Sequence, residues 1–194
     1  SMTESILKEL EGFHKAHPYR PGMPKAEVHM RFMKQVKPNV FDMYIEMLIN
    51  EGKIGRSGEY LHAPAYEIPK DAVFEKASRT ILETFEKAGY DFVRFSEIVF
   101  PKLPDGVKED VLQVLISDGT VVQINDEMYT LASYMEKAKA KIIEKLQKDG
   151  LITIAEVRDM FGTSRKSAKP ILEYMDSQKV TKKTGAESER VAYL

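Results

Sequence analysis

The residues best suited to chemistry in this chain are three cations, Arg165, Lys166 and Lys169, in the first turns of a helical segment near the C-terminal end. Thr163 or Ser164 stands just before them as a helix-capping residue. Cations at a helix N-terminus oppose the helix dipole, so three of them there indicate that they serve a bound anion. The backbone N–H groups at the start of a helix have no intrahelical acceptor and are directed at the same anion, which favours phosphate.

Two short helices around a glycine position these cations. Thr153, with Glu156 three residues later, predicts a capping box at the start of a helix over Ile154–Phe161. Gly162 ends that helix in the left-handed conformation that glycine tolerates, and a second helix follows over residues 164–177. This order is typical of a helix-turn-helix.

Pro170 falls inside the second of these helices. A proline there removes one hydrogen bond and crowds the preceding turn, which predicts a kink. We hypothesise that the kink separates the first turn from the core-facing turns that follow and aims Arg165 and Lys166 outward.

The whole chain repeats this arrangement loosely three times, with a period of about 60 to 70 residues. Each repeat opens with an amphipathic helix, predicted over Ile6–His14, Ala72–Ala88 and Tyr134–Gln147. A short helix marked by Ala-Glu-Val or Ser-Glu-Ile follows, and then a third helix, predicted over Val40–Asn50, Val107–Ser117 and Ser164–Ser177. A two-stranded ribbon closes each repeat, over residues 53–62, 120–131 and 180–194.

Three helices followed by a β-hairpin in about 60 residues describe a winged helix. The predicted fold is therefore α+β and mostly helical, a tandem array of three winged-helix domains over residues 1–65, 66–133 and 134–194. Domains this small have marginal cores, so we expect neighbours to pack on one another. The joints are short, which favours a semi-rigid rod over independent domains.

Charge is distributed unevenly along these domains. Residues 134–194 carry 13 basic and 9 acidic side chains, a net charge of +4, whereas residues 64–133 carry −6 and residues 1–63 carry +1. Only the last third therefore has the charge of a polyanion binder, and the acidic middle third is expected to repel a polyanion.

Composition and missing motifs exclude several classes of function. The 194 residues include no cysteine, so a disulfide or a thiolate nucleophile is impossible. No P-loop or dinucleotide motif occurs and the carboxylates are scattered, so we expect neither an enzyme nor a cofactor. His14 and His17 could share a helix face, but nothing else supports a metal site. Without a long apolar run or a secretory leader, we predict a cytoplasmic protein that spans no membrane, and the initial Ser-Met suggests a piece of a longer protein.

The stretch from Gly162 to Gly185 resembles the C-terminal end of the bacterial selenocysteine-specific elongation factor family, SelB, which is a row of four winged helices. This chain matches the pattern of the last of them at Arg158-Asp159, Gly162 to Lys166, Ala168, Pro170, Leu172-Glu173-Tyr174, Asp176, Thr181-Lys182-Lys183, Gly185 and Arg190. Upstream, His17-Pro18 and Gly22 to Glu27 resemble the opening of the family's second winged helix. The resemblance implies that the three domains correspond to winged helices two to four.

In that family the last winged helix binds the SECIS element, a hairpin in selenoprotein mRNA that recodes UGA as selenocysteine. The resemblance implies that this chain tethers the mRNA, while an absent GTPase part of the full-length factor handles GTP, selenocysteinyl-tRNA and the ribosome. Two departures matter: Ser167 stands where the family has an aromatic residue, and residues 186–189 lengthen the ribbon. The helix contacts therefore carry over better than those of the ribbon.

The predicted RNA contacts all lie in the last domain. Arg165 can fork onto phosphate or a guanine edge, and Lys166 is expected to contact phosphate as a point charge. For Arg158, an RNA contact and an internal ion pair both stay open, and the lysine block over residues 137–145 is expected to be a solvated helix face. The other predicted contacts are Thr163 and Ser164 at the helix cap, Lys169 on the same patch, and Lys182, Lys183 and Arg190 on the wing.

Two other functions stay open from the sequence. A winged-helix DNA-binding regulator would place residues 164–177 in a major groove, but no heptad pattern for a dimer helix occurs, and we expect a monomer. A protein-interaction or spacer array describes the first two domains in any case, because the third helix of the middle domain, Val107–Ser117, has no basic cluster.

Overall fold

The computed structural model describes residues 1–194 and shows one order of elements three times. Repeat 1 comprises α1 (Met2–Ala16), β1 (Met23–Pro24), α2 (Lys25–Phe32), α3 (Pro38–Asn50), β2 (Gly55–Ser57) and β3 (Tyr60–His62). Repeat 2 comprises α4 (Ala72–Ala88), β4 (Val93–Arg94), a 3₁₀ turn (Phe95–Glu97), α5 (Val107–Ser117), β5 (Val121–Gln123) and β6 (Met128–Leu131). Repeat 3 comprises α6 (Ala132–Asp149), β7 (Ile152–Thr153), α7 (Ile154–Phe161), α8 (Arg165–Ser177), β8 (Thr181–Lys183) and β9 (Glu189–Ala192).

This order confirms the predicted fold class, an α+β protein built from tandem winged helices. The exact domain boundaries at residues 65 and 133 stay a prediction. None of the helices combines the length and the apolar character that a membrane span requires.

Each repeat ends in a three-stranded antiparallel sheet, one strand more than the predicted ribbon. The two wing strands form the expected hairpin, and a two-residue strand from earlier in the repeat pairs with the returning wing strand. Met23 thus lies opposite Leu61 in repeat 1, and Ile152 lies opposite Arg190 in repeat 3. Two residues are too few to show an alternation of apolar and polar side chains, so the sequence could not reveal these strands.

The helices lie close to their predicted positions, with one exception in repeat 2. α4, α5 and α7 have the predicted bounds, and the Thr153–Glu156 capping box forms at the start of α7. The Ser-Glu-Ile mark of repeat 2, however, yields only the 3₁₀ turn over Phe95–Glu97. The prolines at positions 101 and 104 explain the difference, because proline lacks an N–H and disfavours helical conformation in the residue before it.

α8 runs without a break through Pro170, so its first and later turns form one helix. The helix is therefore not interrupted at Pro170, and a bend there stays a prediction. Proline has no N–H, so the carbonyl of Lys166, four residues earlier, lacks its usual intrahelical donor.

The chain folds into two compact units, Ser1–Phe74 and Glu75–Leu194. In the first unit, repeat 1 closes a core of its own in which Phe41, Ile45 and Leu61 are buried. In the second unit, repeats 2 and 3 share one continuous core. Phe92 and Met128 of repeat 2 belong to the same cluster as the buried faces of α6, α7 and α8. The predicted packing of neighbours is therefore present between repeats 2 and 3.

The buried side chain of Tyr19 is hydrogen-bonded to Asp71, near the C-terminal end of the first unit. The hydroxyl of Tyr19 donates a hydrogen bond to Asp71 Oδ1 at 2.7 Å, and the same carboxyl oxygen accepts the backbone N–H of Phe74 at 2.9 Å. Burial and the Asp71 carboxylate raise the pKa of Tyr19 to about 12. The Tyr19 hydrogen bond and the backbone N–H groups lower the pKa of Asp71 below its ordinary value of 3.8.

We expect Tyr19→Phe to lower the free energy of unfolding of the first unit by about 1–2 kcal/mol, because a hydrogen bond to a charged group is lost. The lowered pKa of Asp71 means that the bond stabilises the fold above about pH 4 and that this contribution is lost as the pH falls through the lowered value. The variant should therefore also show a shallower loss of stability in acid. Urea unfolding at pH 7 and at pH 3 measures both effects.

The matched control is Tyr60→Phe, since Tyr60 is an exposed tyrosine of the same unit. Its unfolding free energy should stay within about 0.5 kcal/mol of the parent chain. Equal stability of Tyr19→Phe and the parent chain would show that the buried bond contributes nothing.

Candidate nucleic-acid interface

The start of α8 presents two cations that no carboxylate of the protein neutralises. Gly162 ends α7 with φ 60°, and Ser164 is the N-cap of α8. Arg165 and Lys166 follow at once, both are exposed, and neither makes an ion pair. The first backbone N–H groups of an α-helix have no intrahelical acceptor, so they remain available to an anion here. The predicted combination of cations and free donors is therefore present in the geometry.

Thr163 is engaged within the protein rather than free at this surface. Its N–H donates to the carbonyl of Arg158 at 3.0 Å. Its Oγ1 lies 2.9 Å from the carbonyl oxygen of Tyr90 and 2.6 Å from Asp91 Oδ1, so the hydroxyl proton is held in repeat 2. The expectation that Thr163 caps α8 and offers an N–H to phosphate is thus wrong for this residue, because both donors are occupied.

Ser164 occupies the cap position, but its side chain makes no capping hydrogen bond. The residue is exposed, and its carbonyl accepts the N–H groups of Ser167 and Ala168 at 3.1 and 2.9 Å. The Ser164 hydroxyl therefore stays available beside the two cations.

Other basic residues extend this surface, and they differ in whether a carboxylate pairs with them. Lys169 is partly exposed one turn further along α8, and Lys182 is exposed on the wing strand β8, neither with an ion pair. Lys183 instead contacts Glu187 at 3.2 Å, and this contact lowers the pKa of the Glu187 carboxyl. Lys169 and Lys182 are hence the better candidates to add to the α8 start.

Arg158 lies on α7, where the sequence left two roles open. Its Nε lies 3.2 Å from Asp159 Oδ1, and both side chains are exposed. Exposed pairs of this kind contribute little to stability, so the arginine is partly neutralised without being fixed. The structure thus contains the ion pair, which leaves Arg158 a weaker candidate than Arg165.

Arg190 does not lie on the exposed basic surface, and its predicted wing contact is corrected. Its side chain is fully buried. The guanidinium donates from Nε to both carboxylate oxygens of Asp176, at 3.1 and 2.9 Å, and from Nη1 to the carbonyls of Glu187 and Glu189 at 2.6 and 3.0 Å. A buried cation held by four acceptor atoms of three residues cannot reach a phosphate, so Arg190 braces the wing.

The role of Asp176 and Ser167 was missed in the sequence. Asp176 accepts the Thr181 hydroxyl at 2.6 Å in addition to Arg190, so it ties α8 to both wing strands. Ser167 is 3% exposed, and its Oγ accepts the backbone N–H of Phe92 at 3.0 Å. Asp176 and Arg190 stand fourteen positions apart, so their pairing leaves no local pattern in the sequence. For Ser167 a signal was visible, because the family has an aromatic residue at this position.

In the lysine block on α6, Lys137, Lys139 and Lys141 are exposed, whereas Lys145 is held by carboxylates. Lys145 contacts Asp149 and lies 2.7 Å from Glu156, which completes the capping box of α7. Hydrogen bonds to Asp149 and Glu156 raise the pKa of Lys145, and they lower those of its two partners. Lys145 therefore joins α6 to α7 and contributes little net charge to a binding surface.

The corresponding helix start in repeat 2 is acidic. α5 carries Glu109 and Asp110 in its first turn, and the ammonium of Lys108 sits 5.5 Å from the ring of Phe100. This end of repeat 2 has no cluster of free cations, in contrast to the start of α8.

His14, one of the two histidines considered as metal ligands, has other partners. His14 Nε2 accepts the backbone N–H of Ala63 at 3.0 Å, and its ring stacks on Tyr66 with centroids 3.5 Å apart. Burial and the neighbouring His62 lower the pKa of His14, which keeps the accepting nitrogen unprotonated. No group of three or more His, Cys, Asp or Glu side chains is placed to hold a metal ion.

Fold and site together define a tandem winged-helix protein in which one helix start carries two exposed cations without a carboxylate partner. Two family models, both described as elongation factor SelB, winged helix, match residues 7–62 and 144–188. The chain belongs to the winged-helix region of the SelB family. The two models are numbered second and third, although a complete repeat lies between the matched segments, so the ordinals two to four stay a prediction.

Individual relatives agree with this assignment. The chain is 24% identical over 185 residues to the selenocysteine-specific elongation factor of Desulfomicrobium baculatum, a match that covers 93% of this chain and 29% of the relative. The chain thus spans about three tenths of the length of the curated relatives that it matches.

Two solved structures are similar to this chain. The crystal structure of a bacterial selenocysteine-specific elongation factor superposes with a TM-score of 0.56 at 19% identity and covers 98% of this chain and 29% of that one, which shows a shared fold. The mRNA-binding domain of E. coli SelB, solved with SECIS RNA, has a TM-score of 0.49 at 20% identity and covers 60% of this chain and 97% of that one.

Proposed function

We propose that this chain is the mRNA-tethering part of a selenocysteine-specific elongation factor and that it binds the SECIS hairpin of selenoprotein mRNA through the start of α8. The observation that carries this proposal is the pair Arg165 and Lys166, exposed and without a carboxylate partner at a helix N-terminus with free N–H groups. The net charge of +4 over residues 134–194 adds a field that attracts a polyanion. Membership of the SelB family supports an mRNA hairpin as that polyanion.

The chemistry of the two cations suits a hairpin. An RNA stem hides its base edges in a deep, narrow groove, so sequence is read at loop or bulged bases together with the backbone. A guanidinium can bind a guanine edge or a phosphate with two parallel hydrogen bonds, whereas an ammonium binds phosphate as a point charge. Arg165 therefore supplies specificity and Lys166 supplies affinity, with Ser164, Lys169 and Lys182 as further contacts.

The other parts of the chain have supporting roles in this proposal. The winged-helix domains extend over residues 1–65, 66–133 and 134–194, and the acidic middle domain acts as a spacer that does not contact RNA. The chain acts as a monomer in the cytoplasm. GTP, selenocysteinyl-tRNA and the ribosome are handled by the part of the full-length factor that this chain does not include.

Binding of the full 194-residue chain to a SECIS hairpin, titrated at several salt concentrations, tests the proposal. The last domain alone is unsuitable, because its core is continuous with repeat 2. Two competitors are matched to the hairpin: one with the same stem and a scrambled loop, and a duplex DNA of equal length. We expect the hairpin to bind tightest, with a log–log salt slope of roughly −2 to −4 from a few phosphate contacts.

Equal, weak binding to all three nucleic acids would contradict the proposal, since it would reduce the basic surface to a generic polyanion site. Tighter binding to the duplex than to the hairpin would favour a DNA-binding regulator instead.

A further inference from the structure

Two side chains on either side of Arg165 and Lys166 are bound to one short segment of repeat 2. Thr163 lies two residues before Arg165, and its hydroxyl contacts the Tyr90 carbonyl at 2.9 Å and the Asp91 carboxylate at 2.6 Å. Ser167 lies one residue after Lys166, and its Oγ accepts the Phe92 N–H at 3.0 Å. Three consecutive residues, Tyr90 to Phe92, thus hold both ends of the stretch that carries the free cations.

The helix geometry makes this attachment directional. Successive residues of an α-helix are 100° apart, so Arg165 projects about 200° from Ser167. Because Ser167 is buried against repeat 2, Arg165 is turned to the opposite side, towards solvent. Fixing one face of the first turn therefore fixes the direction in which the arginine leaves the helix.

Aromatic packing supports the same contact from the α7 side. The ring of Tyr90 lies 4.8 Å from that of Phe161 and 5.5 Å from that of Tyr134, and its hydroxyl donates to the Tyr134 carbonyl at 2.9 Å. Burial raises the pKa of Tyr90, which keeps the donating hydroxyl protonated. The end of α7, the glycine turn and the first turn of α8 are thus all held by repeat 2.

We propose that Thr163, Ser167 and the segment Tyr90–Phe92 form a positioning joint that sets the direction of Arg165 and Lys166. Repeat 2 then strengthens RNA binding without touching RNA, because two-point recognition by a guanidinium tolerates little misplacement. The inference rests on the proposed function for its effect on RNA, but the joint itself can be measured without RNA.

The first test measures the orientation directly. The chain has no cysteine, so Lys87→Cys and Arg165→Cys introduce one spin label in α4 and one at the start of α8, both at exposed positions of the second unit. We expect a narrow distribution of label distances in the otherwise unchanged chain and in Thr163→Ser, which keeps the hydroxyl. Thr163→Val and Ser167→Ala, which each remove one polar contact, should broaden it. Distributions as narrow in both of these variants as in the parent would overturn the proposal.

The second test measures SECIS hairpin affinity of the same variants without labels. Thr163→Val and Ser167→Ala should each bind about 3- to 10-fold more weakly, and Thr163→Ser should bind like the parent. In an Arg165→Ala background the additional loss should shrink to less than twofold, because Lys166 binds phosphate as a point charge and depends less on direction than the guanidinium does. A loss of full size in that background would overturn the proposal, since it would indicate direct RNA contact or general unfolding.

The two tests separate the possible failures. A parent chain that does not prefer the hairpin contradicts the proposed function, while the label distances still decide whether the joint exists. A parent that prefers the hairpin, together with unaffected binding in Thr163→Val and Ser167→Ala, contradicts the joint alone.

Discussion

Arg165→Ala lowers the affinity of the full chain for the SECIS hairpin by about 5- to 150-fold, equivalent to about 1–3 kcal/mol, if the guanidinium makes a bidentate base contact. The reason is structural: Arg165 is exposed at the helix start and has no intramolecular partner, so its removal costs the fold little and the complex much. Fluorescence anisotropy with a labelled hairpin at fixed salt measures the loss.

Two further substitutions identify which property of Arg165 matters. Arg165→Lys keeps the charge and removes the fork, so a loss close to that of alanine indicates recognition of a base edge. Lys139→Ala removes one exposed cation of α6 from the same domain and should change the affinity by less than about twofold. Hairpin binding by Arg165→Ala at the strength of the parent chain would remove Arg165 from the site.

Asp176→Asn should destabilise the second unit by about 3–5 kcal/mol, the cost of leaving a buried arginine without its counter-charge. Arg190 is fully buried and depends on Asp176 for its only carboxylate partner, and the amide cannot replace the charge. Urea unfolding followed by circular dichroism measures the change. The exposed variant Lys183→Ala, on the same wing, serves as the control and should cost less than about 1 kcal/mol.

A paired replacement separates the structural role of Arg190 from RNA binding. Arg190→Met combined with Asp176→Leu removes both charges and should recover part of the stability that Asp176→Asn loses, because an apolar pair needs no desolvated counter-ion. If Arg190 contacted RNA instead, single Arg190 variants would weaken hairpin binding while the unfolding free energy stayed unchanged.

The sequence predicted the helices well because their signals are local. Apolar spacing, a capping box and glycine stops are each visible within one turn, and α5 and α7 have the predicted bounds. The start of α8 was found for the same reason, since three cations and a capping residue stand next to one another. That Arg165 and Lys166 make no ion pair could be seen only in the structure.

The errors arose where distant residues meet. Leu61 and Arg190 occupy the same register position in the sheets of repeats 1 and 3, and both are buried. Because arginine replaces leucine at this position and stands in a wing segment with other basic residues, the sequence did not show that Arg190 is buried. Thr163 was assigned to phosphate because its partners, Tyr90 and Asp91, stand more than seventy positions earlier in the chain.

The shared core of repeats 2 and 3 has a consequence for the synthesis of this protein. The hydrogen bond from Phe92 to Ser167 spans 75 residues, and the Thr163 contacts span 72 and 73. On the ribosome, repeat 2 emerges well before α8, so for that interval its Tyr90–Phe92 segment has no partner and part of its apolar surface stays uncovered. The nascent chain therefore cannot fix the start of α8, the proposed RNA-binding surface, in steps. That surface is completed at once, when the last helices leave the exit tunnel.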